Sequence, residues 1–251
     1  MKILITGTNS GLGKFLKKRF CTISFTKKNN HEFLLKKKWD LIVHCAFNTN
    51  PNITFKNNFK DNLSLSYKIS KHKCRIIFIS SIDVYRDQKQ KKEFYEDTKL
   101  NIFLSKNKYS KSKLMCENFF KKSKLNIILR CGSLIGPDMK KNTIFKILKS
   151  NNKEINLSEK SIYSFVHYEE IYFFIKKILF KKDVNGIYNF TRNSYFSLKE
   201  ICNHLNKKVK FGKYKFEVVN ANNSKIKKFI DLDKINSLEL LKSMDDNLNF
   251  Y

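Results

Sequence analysis

The sequence is poor in the residues that punctuate or staple a chain. Its 251 residues include 2 prolines and 7 glycines. No low-complexity linker and no internal repeat interrupts it, which excludes proline-rich, glycine-rich and solenoid architectures. It lacks any stretch of about 18 uninterrupted apolar residues, so no transmembrane helix is expected. The first apolar segment runs directly into glycines, so no signal peptide is expected. The cysteines, Cys21, Cys45, Cys74, Cys116, Cys131 and Cys202, form no Cys-x-x-Cys pair, and several lie in apolar runs. That argues against a disulfide frame or a zinc site, and predicts buried free thiols in a reducing, cytoplasmic setting.

Acidic residues are scarce: 22 Asp and Glu face 51 Lys and Arg, for a formal net charge of +29. Such a balance raises nucleic acid or an anionic membrane as partners. The lysines, however, are scattered through every segment. Asn and Ile are also abundant, as an AT-rich genome would produce, and no basic arm stands apart. Nucleic-acid binding is therefore not expected, although a basic surface would also attract an anionic nucleotide.

What is present is a folded globule, 41% hydrophobic and 14% aromatic, long enough for one large α/β domain or one with a small appendage. The apolar run 3–5 reads as a buried strand, followed by Gly7, Gly11 and Gly13 and by helical spacing over 14–20. Strand, glycine-rich turn and helix is an arrangement that binds a dinucleotide. The glycines let the backbone approach a pyrophosphate, which sits on the N–H groups of the helix N-terminus. Further strands are predicted at 22–25, 40–45, 75–80 and 126–130, with helices over 31–38, 58–71 and 109–122. Strands alternating with helices predict a Rossmann-type doubly wound parallel sheet over 1–135. Beyond that, 136–251 reads as a small substrate-binding lobe with elements returning to the sheet. It carries helices at 144–148, 168–179, 198–205 and 237–244, and strands at 186–190 and 216–219.

Ligands bind beyond the carboxyl ends of parallel strands. Ser80 and Ser81 follow one such strand. Tyr109 and Lys113 are four residues apart on a predicted helix and share a face. An ammonium beside a phenol favours phenolate and lowers its pKa, so that the Tyr can move a proton near neutral pH. Ser81 could hold the reacting oxygen. The Tyr-x-x-x-Lys spacing also occurs at Tyr67, Tyr95 and Tyr172. Only Tyr95 and Tyr109 fall between the Ser81 strand and the strand ending at Arg130, and only Tyr109 opens a good helix.

These stretches, in order, resemble the extended branch of the short-chain dehydrogenase/reductases, the NAD-dependent epimerase/dehydratase family of nucleotide-sugar enzymes. Ile5-Thr-Gly-Thr-Asn-Ser-Gly-Leu-Gly13 resembles the cofactor turn, and His44-Cys-Ala-Phe47 the family's His-x-Ala-Ala. Phe78-Ile-Ser-Ser-Ile-Asp-Val-Tyr85 is similar to Ser-Ser-x-x-Val-Tyr-Gly. Tyr109-Ser-Lys-Ser-Lys-Leu-Met-Cys-Glu117 is similar to Tyr-Gly-x-Ser-Lys-x-x-x-Glu. Leu129-Arg130 through Gly136-Pro137, Phe165 to Ile171, and Gly186-Ile-Tyr-Asn189 extend the likeness. The resemblance implies Ser81, Tyr109 and Lys113 as catalytic residues, Lys113 also serving the cofactor ribose, and settles the choice over Tyr95. It implies NAD(P) binding by Gly7, Asn9, Ser10, Gly11, Leu12, Gly13, His44 and Ala46, together with Tyr109 and Lys113. Three departures stand out. The glycine spacing is that of the shorter branch, Arg86 replaces a glycine after Val-Tyr, and Phe47 replaces an alanine near the cofactor.

An acid ending strand two would bind the adenosine ribose of NAD. Thr26, Lys27 and Lys28 stand there instead, so NADP is expected to bind more tightly than NAD, with Lys27 as a cofactor-binding residue. The expected activity is 4-keto reduction or epimerisation of a nucleotide-activated sugar. Dehydration would require Asp83 as an acid, whereas its bland role is to cap a turn. The rival class is a catalytically silent NAD(P)-binding sensor or scaffold associated with RNA. A homodimer is a further expectation, since helices flanking the active site commonly pair in this family.

Overall fold

Apolar runs become strands wherever both faces are covered in the computed structural model, which describes residues 1–20, 22–26, 37–50, 52–89, 92–149 and 153–248. Along the chain, β1 (Ile3–Thr6) leads into α1 (Gly11–Phe20), β2 (Ile23–Phe25) and β3 (Leu41–His44). α2 then runs as Phe55–Asn58, a π-helical stretch Phe59–Ser64, and Leu65–Ser70. β4 (Arg75–Ser81) ends in a 3-10 turn, Ile82–Tyr85, and α3 (Lys108–Phe120) leads to β5 (Ile127–Cys131). The second half contributes β6 (Ser133–Ile135), α4 (Thr143–Lys149), β7 (Lys153–Leu157), β8 (Ile162–Tyr163) and β9 (Phe165–His167). It continues with α5 (Tyr168–Ile178), β10 (Gly186–Phe190), β11 (Phe196–Ser197), α6 (Leu198–His204), β12 (Val209–Tyr214), α7 (Ser224–Lys227) and α8 (Ser237–Leu248).

Six strands form one parallel sheet in the order β10-β5-β4-β3-β1-β2, a Rossmann-type α/β fold. The pleat sends alternate side chains to opposite faces. Ile3, Ile5, Leu41, Val43, Ile77, Ile79, Ile127 and Leu129 pack on one face with α1 and α5. Leu4, Ile42, Ile76, Phe78 and Ile128 pack on the other with α2 and α3. Burial on both faces is why these strands read as continuous apolar runs rather than alternating ones. The first of these clusters draws on both sides of position 135, from Ile3 to Met244. Strand order reverses at β1, with β2 on one side and β3 on the other. The crevice of a doubly wound sheet opens there, beyond the carboxyl ends.

Two helix starts in the second half are set by capping boxes. His167 with Glu170 opens α5, and Ser197 with Glu200 opens α6. Each N-cap is worth about 1 kcal/mol. Buried charge ties helices to the sheet. Arg130 on β5 meets Glu117 on α3 at 2.7 and 3.1 Å, and Glu117 also accepts from Ser80 of β4 at 2.7 Å. Arg130 further donates to the Tyr85 hydroxyl at 2.6 Å, and that hydroxyl donates to Asn189 of β10 at 2.8 Å.

The strand expected at 216–219 does not form. Glu217 makes only an isolated bridge to Ile162, and the strand lies earlier, as β12, paired in parallel with β7. A lysine-studded two-stranded ribbon covers too little apolar area for its pattern to stand out. β6, β8, β9 and β11 are likewise short pairs that the sequence pattern did not announce. The helix expected over 31–38 falls largely outside the described residues. Among the described residues, no helix is long and apolar enough to cross a membrane.

Candidate active site

β1 delivers the chain to Gly7 (φ 74°), where a Cβ would stand 2.8 Å from the backbone N and Cα of Ala46. Gly13, inside α1, lies so close to Gly7 that a Cβ there would be 2.3 Å from the Gly7 carbonyl oxygen. Side chains at either position would push β1, β3 and α1 apart. Gly7, Ser10, Gly11, Leu12 and Gly13 line a cleft of about 1050 Å³, with the N-terminal end of α1 directed at it. A cradle that a Cβ would fill, at a helix N-terminus, fits the diphosphate of a dinucleotide. Asn9 is exposed and does not line the cleft.

His44 is also kept out of the cleft. The pleat turns it to the α2 and α3 face, where Nδ1 meets Thr6 Oγ1 at 2.8 Å and Nε2 meets Ser66 Oγ at 2.9 Å. Burial, helped by the charge of Lys113, lowers its pKa to about 3, so it is neutral at physiological pH. Its role is to fix the turn: the Ala46 N–H donates to the same Thr6 hydroxyl at 3.0 Å, and Ala46 lines the cleft. Lys27 lies outside the described residues, as do Lys28 and Cys21.

Ser81, Tyr109 and Lys113 are brought together on the opposite wall. Ser81 ends β4 and caps the 3-10 turn, accepting from the Asp83 N–H at 3.2 Å. Asn107 caps α3 by accepting from the Tyr109 N–H at 2.7 Å, which fixes the helix start at which Tyr109 lines the cleft. The Ser81 hydroxyl lies near enough to the Tyr109 phenol to favour its ionised form. One turn on, the buried Lys113 ammonium donates to the Ile79 carbonyl at 2.6 Å and lies 5.7 Å from the Tyr109 ring centroid.

The electrostatics depart from the expectation of a lowered phenol pKa. Burial, then the charge of Asp83, raise the Tyr109 pKa well above its ordinary value, and the Ser81 hydroxyl only partly offsets them. Lys113 is turned to Ile79 rather than to the phenol oxygen, and burial lowers its own pKa to about 8. The cleft cysteines are thiols, not nucleophiles: burial raises Cys45 to about 12 and pushes Cys131 higher still. Cys45, Cys74, Cys116, Cys131 and Cys202 are free.

Asp83 lines the cleft, but its carboxylate is paired with Arg86 at 2.6 Å. Arg86, in turn, stacks over Phe216 at 4.5 Å and donates to the Glu217 carbonyl at 3.0 Å. Tyr95 is 49% exposed and lies away from the cleft.

The loop over 136–142 supplies the wall residues Lys140, Lys141 and Asn142, which no sequence motif marks. The Gly11 N–H donates to the Asp138 carbonyl at 2.9 Å, and Lys14 pairs with the Asp138 carboxylate at 2.8 Å. Lys140 Nζ reaches Thr49 Oγ1 at 3.0 Å. Tyr168 packs beneath, against Gly136 and Gly11. The Gly136-Pro137 dipeptide signalled a turn, but nothing in it signalled where the turn would lie.

Solved structures resemble this chain over nearly its whole length. A dTDP-4-dehydrorhamnose reductase from Clostridium acetobutylicum aligns with 21% identity and a TM-score of 0.80, covering 99% of this chain and 100% of that one. A dTDP-glucose 4,6-dehydratase from Bacillus anthracis, solved with NAD, aligns with 17% identity and a TM-score of 0.80, over 100% and 97%. A dTDP-4-dehydrorhamnose reductase from Bacillus anthracis, solved with NADP, aligns with 18% identity and a TM-score of 0.76, over 98% and 99%. At such identities the likeness is one of fold. No curated protein matches the sequence. The family model for the NAD dependent epimerase/dehydratase family matches residues 3–190, a span that runs from β1 through the glycine turn and the Ser81, Tyr109 and Lys113 wall to the end of β10. The chain belongs to that family.

Proposed function

We propose that this protein is an NAD(P)-dependent oxidoreductase or epimerase of a nucleotide-activated sugar, acting by 4-keto reduction or through a transient keto sugar. The observation that carries this reading is the convergence of Ser81, Tyr109 and Lys113 on the cleft that also holds the glycine turn. The turn, with Gly7, Ser10, Gly11, Leu12 and Gly13, would hold the dinucleotide diphosphate. Nicotinamide, when bound, supplies or accepts a hydride at the sugar carbon.

The chain's own residues handle the oxygen. Ser81 donates a hydrogen bond to it, and Tyr109 moves the proton. A phenol whose pKa is raised by burial rests protonated, which suits an acid that protonates the oxygen of a keto group as it is reduced. Lys113, a buried cation, would hold the cofactor ribose. Reduction or epimerisation is preferred to dehydration because the Asp83 carboxylate is engaged by Arg86 and is not a free acid. The names of the solved relatives, nucleotide-sugar reductases and a dehydratase, support the substrate class.

The test is turnover of NADPH against a panel of 4-keto nucleotide sugars, with Tyr109→Phe alongside. The variant should lose about 10²-fold or more in rate and keep cofactor binding. Equal activity in the variant removes the mechanism.

A further inference from the structure

Lys113 meets an aromatic face where the family pattern has an alanine. Phe47 follows β3, and its ring centroid lies 3.7 Å from Lys113 Nζ. The same ring is edge-to-face with Tyr109, with centroids 5.6 Å apart at 89°. A single side chain thus touches both members of the Tyr-x-x-x-Lys pair.

The segment that carries Phe47 is held on both sides. The preceding Ala46 N–H donates to Thr6 Oγ1 at 3.0 Å, and the following Asn48 N–H donates to Asn62 Oδ1 at 2.7 Å. The Phe47 carbonyl accepts from Lys140 Nζ at 3.5 Å. The backbone that carries the ring is therefore held in place.

We propose that Phe47 is a positioning residue for Lys113 and Tyr109. Its face holds the lysine ammonium and the ring stands perpendicular to the phenol ring, fixing the direction in which Lys113 offers N–H groups to the cleft. The inference rests on the reading of Tyr109 and Lys113 as the proton-transfer and ribose-binding pair. An ammonium has three N–H groups. One is taken by the Ile79 carbonyl, and the Phe47 face, closer at 3.7 Å than the Phe78 face at 4.9 Å, closes a further side by cation–π attraction, which leaves the ammonium its side on the cleft that Lys113 lines. An alanine at 47 would leave that side to water.

Several titratable groups surround the ammonium. The thiols of Cys45 on the β3 side, Cys131 at the end of β5 and Cys116 on α3 act on it, as does the Lys140 ammonium from the 136–142 loop. His44 on β3 feels its charge, and Tyr109 lies one turn away on α3.

The experiment compares two variants of the full chain. Phe47→Leu keeps an apolar, water-excluding side chain but removes the π face. Phe47→Ala removes both. The readout is the pH titration of Lys113 by NMR of isotope-labelled lysine ε-carbons, its signal assigned by loss in Lys113→Arg. The wild type should titrate near 8. Phe47→Leu should titrate lower by about half a pH unit or more, because a cation without its π face is less favoured. Phe47→Ala should titrate higher, toward 10.5, because water then reaches the ammonium. NADPH should bind several-fold more weakly to both. A structural filler would lower the melting temperature without moving the titration. An unchanged Lys113 titration in both variants, or shifts of the same sign, would overturn the proposal. The titration needs no substrate, so a failure of the proposed reaction would show separately, as undiminished turnover in Tyr109→Phe.

Discussion

Gly13 and Gly7 meet backbone to backbone: a Cβ on Gly13 would stand 2.3 Å from the Gly7 carbonyl oxygen and 2.7 Å from its carbonyl carbon. No side-chain rotation relieves that contact, since both atoms it would strike belong to the main chain. Gly13→Ala should therefore cost about 1–3 kcal/mol, as overpacking does, and open the turn that faces the cleft. The expected result is a lower melting temperature together with loss of NADPH binding, measured by quenching of protein fluorescence. Tight binding by a melted-down but folded variant would show that the turn is not the diphosphate site.

Lys113 is a buried cation that the fold holds at a disadvantage. Its pKa is lowered from 10.5 to about 8. Between those values the unfolded chain binds a proton that the folded chain does not, so stability rises with pH across that window. Below about pH 8 the whole penalty is present, on the order of 3 kcal/mol, and removing the ammonium leaves the Ile79 carbonyl unpaired, at about 1–2 kcal/mol. Lys113→Met should accordingly be more stable at pH 7 by about 1–2 kcal/mol and lose turnover. Denaturant unfolding at pH 7 and pH 10 measures both the gain and its disappearance. A variant less stable than wild type at pH 7 would contradict the reading.

The Arg130–Glu117 pair works in the opposite sense. Burial raises the Glu117 pKa, but the Arg130 charge, the Arg130 hydrogen bonds, Lys121 and Ser80 overcome it and hold it below the ordinary value. Its contribution is complete above the ordinary carboxylate range and is lost as pH falls through the lowered folded value. Glu117→Ala strands a guanidinium that is 1% exposed and should cost about 3–5 kcal/mol. Urea unfolding at pH 7 checks the magnitude. If the pair matters as described, the variant will also lose the steep acid side of the wild-type stability profile.

NADP should bind more tightly than NAD. The reason is the basic stretch after β2, Thr26-Lys27-Lys28, where an acid would favour the unphosphorylated ribose. Parallel titrations with NADPH and NADH decide the matter, and Lys27→Glu should narrow the difference. NADH binding as tightly as NADPH would sink the preference.

Much of the sheet was legible because parallel strands are buried on both faces, and burial on both faces writes an uninterrupted apolar run. Residues 3–5, 40–45, 75–80 and 126–130 carry that signature, and the helix of Tyr109 carries its own spacing. The pairs formed by β6 to β9, β11 and β12 were not legible, since two-stranded ribbons in a lysine-rich chain bury too little to leave a pattern. His44 was expected at the cofactor, yet the pleat sets it on the same face as Ile42, against Phe78 and Phe120. Parity along the strand, rather than proximity to the turn, decides where such a side chain points.

By itself the sequence determined the order of the main-sheet elements and the glycine turn, and singled out Ser81, Tyr109 and Lys113 as candidates, because each is a local pattern of a few residues. Only the tertiary structure decided what those residues touch. It laid the 136–142 loop over the turn, tied Asp83 to Arg86 and put Phe47 against a lysine 66 positions later, with the phenol raised instead of lowered. Apart from the Asp83 pair, which is closed within one turn, those outcomes depend on distances between segments far apart in the chain and on how much water each burial removes, and neither quantity is written in any local run of residues.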